Sequence, residues 1–422
     1  MTELWTWGAT RLAAAISVRE VTSREATQSC LDRLDAVNPL LNAVVEVSRE
    51  TALLEADRAD KAILEGRPLG LLHGVPVTTK INVDHQGSAT TNGVSAYRNR
   101  VASTDNYAVA NLRREGAIFI GRTNSPCFAW RWFTVNELHG RTYNPWNRLV
   151  TPGGSSGGAA AAVAAGIGPI AHGTDLGGSI RYPAYACGVL GMRATQGRIP
   201  SWDASVGMER SMLSQFLVST GALARSVSDL RLAMRSLAQH DPRDPWSVPV
   251  PWARPGLPAS RRVAMFRDIP GVDRAVSDAV TEAAGWLEES GYEVEEAQPP
   301  NFAEVAESWL HLISEARFGQ LQVVEELGDA DAKTSARLVA EAAPHLDLNG
   351  YLLSLKRRSS LMRQWSAFFA RYPVLLMPVS LLPPLTDELD CQGSTEMHRL
   401  LQAQTPLVAV NVLGLPAISV PT

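Results

Sequence analysis

Cysteine is scarce in this sequence, and the few cysteines that occur lie far apart. The 422 residues contain four of them, none in a C-x-x-C pair: Cys30, Cys127, Cys187 and Cys391. This spacing excludes a disulfide framework and a cysteine-rich zinc site. We therefore expect free thiols that are buried in the core.

Long apolar runs are also absent. No segment has the 18 or so consecutive apolar residues that a membrane-spanning helix requires. The first 20 residues lack the basic start and apolar stretch that are typical of a signal peptide. We therefore expect no membrane span and a cytoplasmic location.

Neither sign of charge dominates the chain. The sequence has 39 lysines and arginines against 43 aspartates and glutamates, which gives a formal net charge of −4. A balance this close to zero provides no electrostatic reason to expect nucleic acid or an anionic membrane as a partner.

The hydrophobic pattern indicates strands that alternate with helices, which is typical of an α/β fold. The alanine-rich run after residue 157 predicts a helix able to pack closely against a sheet. The strand-like runs RRVAMF and YEVEEA, with a helix over 274–290 between them, predict a β-α-β unit over residues 261–297. Strands are expected in GVPVTTK, GAIFIG, IGPIAHGTD, RRVAMF, YEVEEA, PVLLMPVS and LVAVNVLGLPAISVPT.

Two glycine-rich loops carry serines a short distance apart. TPGGSSGG begins at Thr151 and GTDLGGSIRYPA begins at Gly173. Each loop could be a tight turn without any chemistry, but two such loops in succession make that interpretation weaker. Neither loop has the lysine-serine ending of a phosphate-binding P-loop or a G-x-G-x-x-G spacing.

The first loop also satisfies the G-x-S-x-G pattern of a serine hydrolase, centred on Ser155 or Ser156. No strand is predicted directly before these serines, and none of the eight histidines lies in a recognisable motif. A lysine is the other possible base. Lys80 ends an apolar, strand-like run, and burial there would lower its pKa toward neutrality. A lysine extending from a strand end into solvent remains the simpler reading of that residue alone.

Taken together, these segments resemble the amidase signature family. The likeness runs in family order through HGVPVTTK, GRTN, NPWN, TPGGSSGG, GTDLGGSIRYPAYACGVLG and TQGRIP. It is strongest over about residues 70–200, and weaker likeness extends to the N-terminal helix and to NVLGLPAISVPT. The resemblance implies a single large domain with a mixed central sheet covered by helices on both faces.

The resemblance also implies a Ser–Ser–Lys triad that hydrolyses a small carboxamide without a metal or an organic cofactor. Ser179 would be the nucleophile, Ser155 a bridging serine on a cis peptide, and Lys80 the base. The oxyanion would be held by backbone N–H groups of the nucleophile's own turn: Leu176, Gly177, Gly178 and Ser179. The residues expected to support the loops are Ser156, Asp175 and Arg181.

The layout implied by the resemblance is one amidase domain over residues 1–422. Its parts would be N-terminal helices (1–69), the signature core (70–200), a variable substrate-side segment (240–375) and closing strands (376–422). Family members usually continue beyond that closing strand, so we expect the family's C-terminal end to be missing here. Trp130 and Trp132 could wall an apolar or aromatic acyl pocket, or they could be ordinary core aromatics.

Three other functions remain open at this stage. The chain could be the A-type component of a glutamyl-tRNA amidotransferase, although members of that branch carry Asp directly after the lysine and this sequence has Ile81. It could be a histidine-dependent esterase that uses Ser156, or a catalytically silent member of the fold. A small-molecule amide is the expected partner, and a homodimer is possible.

Overall fold

The computed structural model describes residues 3–207, 209–252 and 260–422. Residues 253–259, within the predicted substrate-side segment, lie outside the described residues. The strands are β1 (Val44–Val47), β2 (Pro76–Lys80), β3 (Ile118–Thr123), β4 (Val135–Asn136), β5 (Gly140–Arg141), β6 (Ile170–Asp175), β7 (Leu190–Arg193), β8 (Ser219–Ala224), β9 (Arg262–Met265), β10 (Glu293–Glu296), β11 (Val374–Leu376) and β12 (Ala417–Ser419).

Fifteen α-helices are distributed among these strands in the described residues. They are α1 (Ala9–Ser17), α2 (Ser23–Leu41), α3 (Arg49–Leu64), α4 (Tyr107–Arg114), α5 (Gly157–Ala164), α6 (Arg181–Cys187), α7 (Met212–Leu217), α8 (Val227–Leu237), α9 (Arg274–Glu289), α10 (Phe302–Ile313), α11 (Gln320–Leu327), α12 (Ala330–Ala342), α13 (Leu348–Arg371), α14 (Ser394–Ala403) and α15 (Thr405–Leu413).

Seven strands form the central sheet in the order β1-β3-β2-β6-β8-β7-β12. β2 is parallel to both of its neighbours, whereas β8 is antiparallel to both β6 and β7, so the sheet is mixed. Every residue of β2 and β6 is buried, as expected for strands covered on both faces. Lys80 is the last residue of β2, and β6 leads into the loop that contains Ser179.

Helices cover both faces of this sheet, as the resemblance implied. On one face Val77 and Ile170 pack with side chains of α1, α4 and α8. On the other face Ala171 and Leu223 pack with side chains of α2, α5 and α6. The four alanines from Ala159 to Ala162 in α5 are buried, and these small side chains let the helix that follows Ser155 lie close to the sheet.

A smaller parallel sheet, in the order β10-β9-β11, lies in the second half of the chain. The predicted β-α-β unit is confirmed as β9, α9 and β10. The run PVLLMPVS was expected to form a central strand, but its strand β11 lies at the edge of this sheet, with Val374 exposed. An apolar run alone does not show whether a strand lies at the edge or in the centre of a sheet when the neighbouring strands are far away in sequence.

The expectation that LVAVNVLGLPAISVPT is a strand was wrong for most of its length. Residues 405–413 form α15, and only Ala417–Ser419 form a strand. All residues from Pro406 to Leu413 are buried in α15, so the helix is apolar on every side and shows no amphipathic period. The helix packs against α10 and brings Leu407 and Asn411 next to the second serine loop.

The described cysteines are all free thiols, as expected. Three are buried, and Cys391 is half-buried. In the described ranges we find no helix with the length and apolar character that crossing a bilayer demands.

Candidate active site

Lys80 is the last residue of β2, and its side chain is fully buried. Its Nζ atom lies 2.7 Å from Ser155 Oγ and 3.2 Å from Thr174 Oγ1. The side chain therefore does not extend into solvent, and the lysine amine contacts the hydroxyl that the resemblance assigns to the bridging serine.

The surroundings of Lys80 favour its neutral form. Burial lowers the pKa of the lysine to about 7, and the negative charge of Asp175 only partly opposes this effect. An exposed lysine is almost completely protonated at neutral pH, whereas one with this pKa is uncharged in about half of the molecules at pH 7. Lys80 can therefore accept a proton under physiological conditions.

The two serine loops lie side by side. The peptide between Gly154 and Ser155 is cis, as expected. The backbone N–H of Ser156 donates to the backbone carbonyl of Ser179 at 3.1 Å, which joins the first loop to the second. Ser155 and Ser179 line the same cavity.

The second loop runs from the end of β6 to the start of α6 and folds around the carboxylate of Asp175. That carboxylate accepts from the N–H groups of Gly178 (2.9 Å) and Ile180 (3.2 Å) and from the guanidinium of Arg181 (2.9 and 3.0 Å). Asn411 of α15 also donates to it, at 2.9 Å. Asp175 and Arg181 thus form a buried ion pair that fixes the loop.

Asp175 is held in its ionised form. Burial raises the pKa of this carboxyl, but the charges of Arg181 and Arg193 and the hydrogen bonds from Arg181 and Asn411 outweigh that effect. The pKa therefore lies well below its usual value. The carboxylate is therefore ionised at neutral pH and keeps its donors in place.

Backbone N–H groups of this loop are available to a ligand. Among the described residues, those of Leu176, Gly177 and Ser179 have no hydrogen-bond acceptor. The expectation of four open donors needs one correction, because the N–H of Gly178 already donates to Asp175. The Gly177–Gly178 peptide is held at both ends, since its carbonyl accepts from Trp132 Nε1 at 2.8 Å.

The hydrogen bond that the resemblance implies between Ser155 and Ser179 is not formed in this structure. Within the described residues Ser179 Oγ makes no hydrogen bond, so its hydroxyl is not bonded to Ser155 Oγ. Lys80 and Ser155 are in contact, and Ser179 borders the same cavity as Ser155. Catalytic hydrogen bonds are often longer without substrate and shorten when substrate binds.

Ser156 occupies a different environment from the other two serines. Its side chain is fully buried, and its hydroxyl donates to the backbone carbonyl of Thr174 at 3.4 Å. No histidine in the described part of the chain hydrogen-bonds to Ser155, Ser156 or Ser179. His172 lies near Lys80, but burial and the lysine charge lower its pKa to about 3. This arrangement contradicts the esterase that uses Ser156 and a histidine base.

The cavity beside the serines has a volume of about 320 Å³. Four aromatic side chains line it, those of Phe128, Trp130, Trp132 and Trp309, together with polar and charged side chains. Trp132 also belongs to the buried core, so this residue is both a core aromatic and part of the cavity wall. Trp130 is half-buried and lines the cavity.

Sequence reasoning missed several residues of this site. Thr174 precedes Asp175 in a segment already singled out, and Asn82 follows Lys80 by two residues, so their positions offered a local signal. Trp309 and Asn411 belong to helices far away in sequence. Asn411 begins the segment NVLGLPAISVPT, which has some family likeness, but nothing in the segment around Trp309 indicates a site.

Comparison with known proteins agrees with this geometry. A family model described as Amidase matches residues 25–422. An indoleacetamide hydrolase of Bradyrhizobium diazoefficiens is 42% identical over 422 residues, which cover 99% of this chain and 80% of the relative. The A component of the glutamyl-tRNA(Gln) amidotransferase of Acidothermus cellulolyticus is 32% identical, and the match covers all of this chain and 88% of that relative.

Among solved structures, a bacterial aryl acylamidase of the amidase signature family superimposes with a TM-score of 0.83 at 26% identity. The match covers 98% of this chain and 89% of the other. Because the family model spans nearly the whole sequence and the fold matches that structure, the chain belongs to the amidase family and is an amidase that acts on C–N bonds other than peptide bonds.

Proposed function

We propose that this amidase acts through a Ser179 acyl-enzyme, with Ser155 as proton relay and Lys80 as general base, on small carboxamides with an aromatic acyl group. The observation that carries the proposal is the 2.7 Å contact between a buried lysine amine of lowered pKa and the Ser155 hydroxyl. Two groups in this relation can move a proton at neutral pH.

Acylation begins with the neutral form of Lys80. Its Nζ takes the proton of the Ser155 hydroxyl, and Ser155 Oγ takes the proton of Ser179 as that residue attacks the amide carbonyl carbon. The step requires Ser179 Oγ to turn toward Ser155 when substrate binds. Lys80 Nζ hydrogen-bonds to Ser155 and, within the described residues, not to Ser179. A second serine is therefore needed to connect the base to the nucleophile.

The attack converts the carbonyl oxygen into an oxyanion. The open N–H groups of Leu176, Gly177 and Ser179 are the donors that would bind it. One such donor contributes about 3 kcal/mol of transition-state stabilisation. Because Asp175 and Trp132 fix the peptide between these donors, the loop does not have to reorganise as charge develops.

Collapse of the intermediate breaks the C–N bond. The proton held by Lys80 returns through Ser155 to the leaving nitrogen, which departs as ammonia or an amine. A water molecule then attacks the acyl-enzyme, with its proton passing along the same path, and releases the carboxylic acid and the free Ser179 hydroxyl.

The cavity supports an aromatic acyl group. Four aromatic side chains line it, and aromatic surfaces favour stacked or edge-on contacts with a planar ligand. The name of one similar protein, an indoleacetamide hydrolase, describes a substrate with an aromatic acyl group. We therefore propose arylacetamides as the substrate class.

The amidotransferase component is less well supported as a second candidate. Ile81 is a buried apolar residue at the position directly after the lysine. Asp84, three residues further, does not replace the missing carboxylate, because it accepts hydrogen bonds from Thr90 and Ser205 instead of contacting Lys80. Co-purification of partner proteins from the native host would favour this alternative.

A serine-directed fluorophosphonate provides the direct test of the nucleophile. We expect peptide mapping to locate the label on Ser179, and we expect Ser179→Ala to abolish both labelling and ammonia release from phenylacetamide. Ser156→Ala should still be labelled and keep a reduced rate. Labelling of Ser156, or full turnover by Ser179→Ala, would reject the mechanism.

Several expectations about the protein's setting stay predictions. These are a cytoplasmic location, the absence of a nucleic-acid partner, and a homodimer. Gel filtration with light scattering would decide the oligomeric state.

A further inference from the structure

Two asparagine side chains in the cavity wall have buried carbonyl oxygens that lack a donor. Asn82 Oδ1 and Asn92 Oδ1 are shielded from solvent and make no hydrogen bond within the described residues. Both residues line the cavity that contains Ser155 and Ser179. A buried carbonyl without a partner costs about 1–3 kcal/mol, so two on one wall indicate that a ligand supplies the donors.

Asn82 is connected to the catalytic lysine. Its Nδ2 donates to Thr174 Oγ1 at 3.1 Å, and the same hydroxyl accepts from Lys80 Nζ at 3.2 Å. The bond to Thr174 occupies the amide nitrogen of Asn82 and leaves its oxygen as the atom without a partner. Three consecutive hydrogen bonds thus link Asn82 to Ser155, the group that protonates the leaving nitrogen.

Asn92 lies on the same wall. Its backbone N–H donates to the carbonyl of Ile81 at 3.3 Å, directly before Asn82, and its own carbonyl accepts from Phe128. The backbone of Asn92 has a φ of +49°, a left-handed conformation that asparagine tolerates better than most residues. Its side chain lines the same cavity as that of Asn82.

Two carbonyl acceptors on the cavity that also contains Ser155 match a group with two N–H donors. We propose that Asn82 and Asn92 bind the –NH₂ of a primary carboxamide, so that the enzyme selects primary carboxamides and releases ammonia. This inference rests on the proposed function, because it places the leaving nitrogen beside Ser155. A secondary or tertiary amide would leave one or both oxygens unpaired and press an alkyl group against them.

Matched substrates with one acyl group test this selectivity. We would measure kcat/KM for phenylacetamide and for methyl phenylacetate, an ester that has no N–H donor. In Asn82→Leu and in Asn92→Gly, the amide-to-ester ratio of kcat/KM should fall about tenfold, as expected for one hydrogen bond. Glycine is chosen at position 92 because it keeps the left-handed backbone. Asn349→Leu, an exposed position on α13, is the control and should leave the ratio unchanged.

An amide-to-ester ratio that stays constant in both variants would overturn the proposal. This includes the case in which the amide and ester rates fall in parallel, which would indicate that the asparagines only position Thr174 and Lys80.

Binding to the Ser179→Ala protein provides a test that does not need turnover. The cavity tryptophans should report, by fluorescence, about tenfold tighter binding of phenylacetamide than of N,N-dimethylphenylacetamide, and Asn82→Leu should remove the preference. Equal or undetectable binding of the two amides would also overturn the proposal. Loss of the acyl-enzyme mechanism, by contrast, would appear as failure of the fluorophosphonate to label Ser179.

Discussion

Arg131 and Asp390 form a buried, two-point ion pair across 259 residues of sequence. Arg131 Nε lies 2.7 Å and Nη2 lies 2.8 Å from the two carboxylate oxygens, and neither side chain is more than 1% exposed. Arg131 stands between Trp130 and Trp132, so this pair attaches the aromatic wall of the cavity to the second half of the chain. The wall therefore depends on a contact that neither local segment encodes.

We expect Asp390→Ala to destabilise the protein strongly. Removing one partner of a buried pair leaves an uncompensated charge and costs about 3–5 kcal/mol. Chemical denaturation would measure the loss in free energy of unfolding. Asp331→Ala is the matched control, because Asp331 binds the same guanidinium at 3.0 Å but is 39% exposed. That change should cost about 1 kcal/mol or less. Equal losses in the two variants would contradict the importance we give to burial.

The activity should depend on pH through Lys80. Burial lowers the pKa of the lysine to about 7, and only the unprotonated amine can act as a base. We therefore expect kcat/KM to rise about tenfold per pH unit below pH 7 and to level off above it. Ammonia release between pH 5 and 9 would show this limb. Lys80→Arg should show no such limb and little activity, since a guanidinium stays protonated throughout the range. A flat profile in the wild type would be inconsistent with Lys80 as the base.

Gly178 should tolerate no larger residue. Its φ is +102°, and a Cβ at this position would lie 2.6–2.9 Å from side-chain atoms of Leu407. Gly178→Ala should therefore remove most activity by displacing the neighbouring donor groups, and it should lower the melting temperature. Gly66→Ala provides the control, because Gly66 also has a positive φ (+66°) but nothing lies within 4 Å of the added Cβ. Comparable activity losses in both variants would show that backbone strain, and not the contact with Leu407, is responsible.

The central sheet and the serine loops were predictable because their signals are local. β2, β3 and β6 are short buried runs, and the proposed catalytic residues Lys80 and Ser179 lie at the end of β2 and in the turn after β6. The close approach of Lys80 to Ser155 was expected only from the family resemblance. The sequence predicts a strand where α15 lies, because a helix that is buried on every side shows no helical periodicity in its apolar residues.

Only part of the wall of the cavity was predictable: Trp130 and Trp132 were offered as wall residues, and both line the cavity. Trp309 comes from α10, and the partner of Arg131 comes from the segment before α14, so both depend on long-range packing. The hydrogen bond from the Gly178 N–H to Asp175 depends on how the Asp175 side chain is oriented within the turn. The order of the residues alone does not determine that orientation.

Trp132 offers a final test of how the loop is held. Its Nε1 donates to the carbonyl of Gly177, and the N–H of the same peptide donates to Asp175. Trp132→Phe keeps the ring in the core but removes the first of these bonds. Because that bond orients donors that act in the transition state, kcat should fall about tenfold while KM changes little. Trp286→Phe, at a position 45% exposed on α9, should change neither constant. If Trp132→Phe instead raised KM and left kcat unchanged, the indole would serve only as a wall for the acyl group.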